Sequence, residues 1–178
     1  MKILFSTITL VLLNIVSVFA QQKEYSCRYF SIEYPSDWTT VVVGNLNSST
    51  ESLKEASLTV KPINIGKGQP TYNVEIHMDP SIDWSDINQS SLGQFKDLIR
   101  NRFSSVAFIS DPKFVTFNSL PGIMMEYSTY LNGFKARFTQ YIIHKRNGFT
   151  YFLTSCVEDN KSSTQLPKVK EILNSIEF

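Results

Sequence analysis

The chain has 178 residues, of which 17 are basic, 16 acidic, 42% hydrophobic and only 7 each Gly and Pro. That length suits one domain with a substantial core, and the composition excludes a collagen, a Pro/Gly low-complexity chain and a disordered charged tail. A net charge of +1 leaves no basic excess to hold a nucleic-acid backbone.

Met1–Ala20 carries one charge, Lys2, and an apolar run that ends Val18-Phe19-Ala20. Small or β-branched residues at −3 and −1 after such a run predict a signal peptide cut before Gln21. A retained anchor is the competing reading, but the run is short for a membrane span. A lipoprotein anchor is disfavoured because Cys27 lies well beyond the apolar stretch. Loss of the leader removes one Lys and no acid, leaving 16 basic and 16 acidic residues. The expected product is a neutral, exported domain over residues 21–178, periplasmic or secreted, with no membrane insertion and no general attraction to polyanions.

Along that domain, Phe30, Ile32 and Tyr34 alternate with Ser31 and Glu33, which predicts a half-buried strand closed by Pro35-Ser36-Asp37. Thr39–Val43 and Ser57–Ile63 read as the next two strands, and Tyr72, Val74, Ile76 and Met78 mark a fourth. From Ser91 the period lengthens: Leu92, Phe95, Leu98, Ile99, Phe103 and Val106 predict an amphipathic helix of about four turns, capped by Ser90 or Ser91. Phe114–Phe117 reads as a short strand. Met124–Leu131 and Phe134–His144 flank Asn132-Gly133, and Asn147-Gly148 leads into Phe149–Val157. Two such turns make an antiparallel meander. Leu166, Val169, Ile172, Leu173 and Ile176 predict a closing helix with Pro167 in its first turn. About eight strands and two helices without β-α-β alternation imply an α+β fold, an antiparallel sheet flanked by helices.

The stretch Phe30-Ser-Ile-Glu-Tyr-Pro-Ser-Asp-Trp38 resembles the opening of PsbP-like domains. So do Leu120-Pro-Gly before a strand and an Asn-Gly hairpin, the run Asn147-Gly-Phe-Thr-Tyr-Phe-Leu-Thr154, and the ending Ile172-Leu-Asn-Ser-Ile-Glu-Phe178. The resemblance covers essentially the whole domain and implies an α/β/α sandwich. It also implies an accessory role through a protein partner, since the photosystem II subunit PsbP and a nuclear Ran-binding factor of this family act by binding. The photosystem-contacting segments of PsbP have no match here, so no site residue carries over, and no cofactor is implied.

The residues themselves offer few chemical constellations. Glu75, His77 and Asp79 alternate on one strand and so share a face. They are candidate metal ligands if a neighbouring strand adds another, or else an ordinary solvated face. Asp79, Asp83 and Asp86 surround Trp84 without the spacing of a calcium loop, and Gly66-Lys67-Gly68 lacks that of a phosphate loop. Export permits a Cys27–Cys156 disulfide, stabilising by roughly 4–5 kcal/mol in a chain-entropy model. Two free thiols, Cys156 buried, are the alternative. A cysteine nucleophile is disfavoured, because nothing links either thiol to His77 or His144. His144-Lys145-Arg146 forms a basic hairpin end suited to an anionic partner or simply solvated. Lys135, Arg137 and Tyr141 share a strand face, an aromatic-charged surface of the kind interfaces favour. Trp38 is expected to pack under a helix. Asn47, Asn88 and Asn160 head glycosylation sequons.

Three functions follow: a non-catalytic binding or accessory domain, a metal-dependent enzyme on Glu75, His77 and Asp79, or a carrier holding a small apolar ligand between sheet and helices. The first is the expectation.

Overall fold

The computed structural model describes residues 21–48, 53, 56–65, 72–80, 88–145 and 148–178. The leader Met1–Ala20, Gly66-Lys67-Gly68, Asp83, Trp84, Asp86, Arg146 and Asn147 lie outside the described residues.

Nine strands and two helices are described: β1 Gln22–Ser26, β2 Ser31–Pro35, β3 Trp38–Val43, β4 Ser57–Pro62, β5 Asn73–Asp79, α1 Gln89–Arg102, β6 Val106–Phe117, β7 Leu120–Leu131, β8 Phe134–Lys145, β9 Phe149–Glu158 and α2 Ser162–Asn174. Strands β3 to β9 form one sheet in the order β3-β4-β5-β9-β8-β7-β6, and every neighbouring pair is antiparallel. Strands β1 and β2 make a separate ribbon. The far side of β2 bridges the chain end: Ser31 and Glu177 exchange backbone hydrogen bonds at 2.9 and 3.0 Å.

The helices lie on opposite faces and are offset. Val169, Ile172 and Leu173 of α2 pack with Ile32, Trp38, Leu58, Ile76 and Leu153, that is, over β2, β3, β4, β5 and β9. Phe95 and Ile99 of α1 pack with Ile123, Met125, Tyr127, Phe138 and Ile142, over β7 and β8 on the other face. Among the described residues, each sheet face therefore has one half covered by a helix and one half that no helix covers. Alternation explains the split: in β5, Val74, Ile76 and Met78 are fully buried, whereas Glu75 is exposed and His77 partly so.

Local differences from the sequence expectation have identifiable causes. Strand β1 was not expected; its pattern is mostly exposed, and it pairs with β2 rather than entering the sheet. Strand β6 runs over 12 residues rather than four. It is an edge strand, where Pro112 and register shifts around Ser110 are tolerated. Val106 belongs to β6, because α1 ends at the extended Phe103. Asn88, not Ser90 or Ser91, caps α1: its side chain accepts from the Ser90 amide at 2.9 Å, and the Ser91 hydroxyl returns to the Asn88 amide at 3.2 Å. Pro167 sits inside α2 rather than in its first turn, because Ser162-Ser163-Thr164-Gln165 already form that turn. The Gln165 side chain anchors it by accepting from the Glu158 amide at 2.9 Å.

Asn132 and Gly133 both adopt positive φ, 51° and 84°, as the Asn-Gly hairpin requires. A further two-residue turn joins β6 to β7 at Asn118-Ser119, with φ of 45° and 67°. The Asn118 side chain ties this turn to the Ile176 carbonyl, coupling it to the chain end.

Candidate functional site

The uncovered half of the α1-side face contains the residues that alternation singled out. The β4–β5–β9 register places Glu75 between Thr59 and Thr154, His77 between Ser57 and Phe152, and Asp79 opposite Thr150. They line a recess of about 350 Å³ together with Arg102, Gln140, Phe152 and Thr154. Arg102 arrives as the last residue of α1, Gln140 from β8 and Thr154 from β9. Sequence reasoning missed these three, because only the docking of α1 across the sheet brings a helix end to β5.

His77 Nδ1 lies 3.2 Å from the Ala56 carbonyl. A carbonyl only accepts, so in this bond Nδ1 carries the proton. The ring rests beside Phe152, with centroids 6.0 Å apart. Among the described residues, no three His, Cys, Asp or Glu converge to hold a metal ion. The recess instead combines carboxylates, a guanidinium and an imidazole, which suits polar contacts of mixed sign with another surface.

The cysteines do not pair. Both are free thiols, and the sheet separates their environments. Cys27 packs against the α2-side core, its thiol donating to the Phe30 carbonyl at 3.4 Å. Cys156 belongs to the α1-side core, between β5 and β8. Burial pushes the Cys156 thiol up to about 11. Of the two alternatives, free thiols with Cys156 buried are observed, because β1 joins the ribbon and not the meander.

Of the basic hairpin end, His144 and Lys145 are among the described residues. Lys145 lines an open groove of about 850 Å³ with Glu24, Glu33 and Glu177, acids supplied by the ribbon and the chain end. The buried Nδ1 of His144 has no hydrogen-bond partner among the described residues. Lys135 pairs with Asp159 at 2.9 Å and Arg137 with Glu126 at 3.0 Å, so both cations of that strand face are engaged. Tyr141 packs against Phe117 with centroids 4.9 Å apart. The exposed apolar residues nearby are Tyr130, Leu131 and Phe134, at the hairpin tip.

Trp38 is fully buried and meets Tyr72 edge-to-face at 5.0 Å, a packing role as expected. The α2 side chains pack on the sheet in one buried cluster, and the described recesses have charged and polar residues in their walls, so they do not favour an apolar cargo. Of the sequon asparagines, Asn88 is occupied as the α1 cap and Asn47 accepts from the Arg28 amide at 3.1 Å, while Asn160 is exposed.

No family model and no curated protein matches the sequence. Solved structures do match. Cyanobacterial PsbP from Synechocystis sp. PCC 6803 superposes with a TM-score of 0.62 at 12% identity, over 90% of this chain and 94% of that one. The chain has the PsbP-like fold. LpqN of Mycobacterium tuberculosis, described as involved in cell envelope biogenesis, superposes at 0.57 with 12% identity, covering 88% of this chain and 90% of its own. The Saccharomyces cerevisiae Ran-binding protein Mog1p superposes at 0.51 with 8% identity, covering 89% and 95%. At such identities the PsbP-like fold is what is shared. The antiparallel sheet flanked by helices, expected from periodicity and from the family resemblance, is the architecture observed.

Proposed function

We propose that this chain is an exported, non-catalytic accessory domain that works by binding a protein partner through the uncovered α1-side half of its sheet. The observation that carries this reading is the offset of the two helices. Among the described residues it leaves β3, β4 and β5 without a helix on one face, with the Glu75–His77–Asp79 recess and Arg102 at the border of α1. A broad sheet surface with carboxylates, a guanidinium and hydroxyls offers hydrogen bonds of both kinds, as a protein interface uses. The apolar leader supports export, and no described helix is long and apolar enough to cross a membrane. Two proteins of this fold fit the reading: one is described as Ran-binding, the other as involved in cell envelope biogenesis.

The test is capture from the producing cell's envelope fraction with the tagged protein, followed by reconstitution of the complex from purified components. Replacing Glu75, His77 and Asp79 together by Ala should abolish the reconstituted complex while the circular dichroism spectrum and melting temperature hold. Metal affinity or hydrolytic activity that disappears in the same folded variant would overturn the proposal in favour of an enzyme.

A further inference from the structure

The two edges of the large sheet are treated differently. Strand β6 is irregular: it carries Asp111, Pro112 and Lys113 and its register shifts on both sides of Ser110. These features hinder the addition of another strand. Strand β3 has none of them. It reads Trp38-Thr-Thr-Val-Val-Val43, without charge, proline or register shift.

The backbone of β3 shows which groups are open. The Ile63 amide donates to the Asp37 carbonyl at 2.9 Å. With the β3–β4 register, odd-numbered residues of β3 therefore point their amides and carbonyls at β4. Trp38, Thr40 and Val42 point theirs outward. Lys23 occupies the Trp38 carbonyl at 3.3 Å. The amides and carbonyls of Thr40 and Val42 have no partner among the described residues. Beside them Val41, Val42 and Val43 are 40%, 43% and 54% exposed.

The geometry points to β3 as a dimerisation edge that pairs antiparallel with β3 of a second copy of this chain, with the two-fold axis at Val41. In that register each Thr40 faces the partner's Val42. Their outward amides and carbonyls then satisfy one another completely, and Lys23 keeps the Trp38 carbonyl. Val41 meets the partner's Val41 in a non-hydrogen-bonded pair, where side chains approach most closely. A second copy is the occupant that fits. The strand is uncharged, so a charged peptide gains no ion pair here, whereas two copies bring no like charges together. The leader-free chain, with 16 basic and 16 acidic residues, adds no net repulsion. The dimer would join two large sheets into one and bring the two open β3–β5 faces side by side. This surface is distinct from the Glu75–His77–Asp79 recess, so either proposal can fail alone.

Sedimentation equilibrium of the purified protein should give a dimer, and Val41→Lys should give a folded monomer with an unchanged circular dichroism spectrum and a melting temperature that no longer depends on protein concentration. Register is tested by oxidative cross-linking in a Cys27→Ser background. Val41→Cys should yield a covalent dimer, since the paired Cα atoms would be about 4.5 Å apart. Val43→Cys should not, because the two copies of residue 43 would lie about 13 Å apart along the strands. A wild-type protein that remains monomeric at roughly 100 µM overturns the proposal. So does a dimer insensitive to Val41→Lys, or Val43→Cys cross-linking as efficiently as Val41→Cys. If the monomer binds an added strand peptide instead, the edge is open but the occupant is not a second copy, and the proposal is again overturned.

Discussion

Two Gly→Ala substitutions, identical in chemistry, should move stability in opposite directions. Gly122 lies in β7 opposite Ile143 of β8. A Cβ built there falls 2.7 Å from the Ile142 carbonyl oxygen and 3.3 Å from Ile143 Cγ1. The obstructing oxygen belongs to the backbone of β8, which is hydrogen-bonded between β7 and β9, so it cannot rotate aside as a side-chain end would. Relief requires the ladder to part by about half an ångström, and strain of this kind costs roughly 1–3 kcal/mol. Gly93 sits on the exposed side of α1 with nothing within 4 Å of its added Cβ. Alanine there reduces the freedom of the unfolded chain and gains about 0.5–1 kcal/mol. The two variants should differ by about 1.5–4 kcal/mol. For a domain of this size that corresponds to roughly 3–16 °C in melting temperature. Thermal and urea unfolding followed by circular dichroism provides the assay, with m unchanged if both variants remain two-state. Equal melting temperatures, or Gly122→Ala above Gly93→Ala, would refute the reasoning from backbone clearance.

Burial raises the Cys156 thiol from 9.0 to about 11, so the folded state retains a proton that the unfolded chain releases. The corresponding stability is fully present below pH 9 and is lost as pH rises toward 11. Urea midpoints should fall across that window, and Cys156→Val should flatten the decline. Tyr127, raised by burial to about 12, adds a second loss between about pH 10 and 12 by the same sign. Native alkylation near pH 8 should label Cys27 first, with Cys156 reacting only on unfolding; mass spectrometry after denaturation should then count two alkylated thiols, and a Cys27–Cys156 disulfide in the folded protein would contradict the sheet's separation of them. Ser119, at φ 67°, should accept Gly with a gain of up to about 1 kcal/mol, read as a higher urea midpoint. Asn88→Ala removes the α1 cap and should cost about 1 kcal/mol in the same assay.

The fold was largely legible in the chain because its signals are local. Alternation in Phe30–Tyr34 and Tyr72–Met78, Asn-Gly at 132 and 133, and the helical spacing of Phe95 with Ile99 each act over a few residues. Glu75, His77 and Asp79 share a face for the same reason: the two-residue period of a strand holds wherever that strand packs. Sequence alone left the partners of that face open. Arg102, Gln140 and Thr154 join it only because α1 crosses the sheet and β9 lies between β5 and β8, contacts separated by many residues. The same tertiary arrangement decided against the disulfide. Strand β1 pairs with β2 in a ribbon outside the large sheet, which leaves Cys27 and Cys156 in different cores. It also determined which strands became edges. The residues of β3 after Trp38 are β-branched and uncharged whatever their position, but only the sheet order leaves the outward amides and carbonyls of Thr40 and Val42 without a partner among the described residues. Local sequence set each element and its buried face; long-range packing alone chose the neighbours, and the groups left without one.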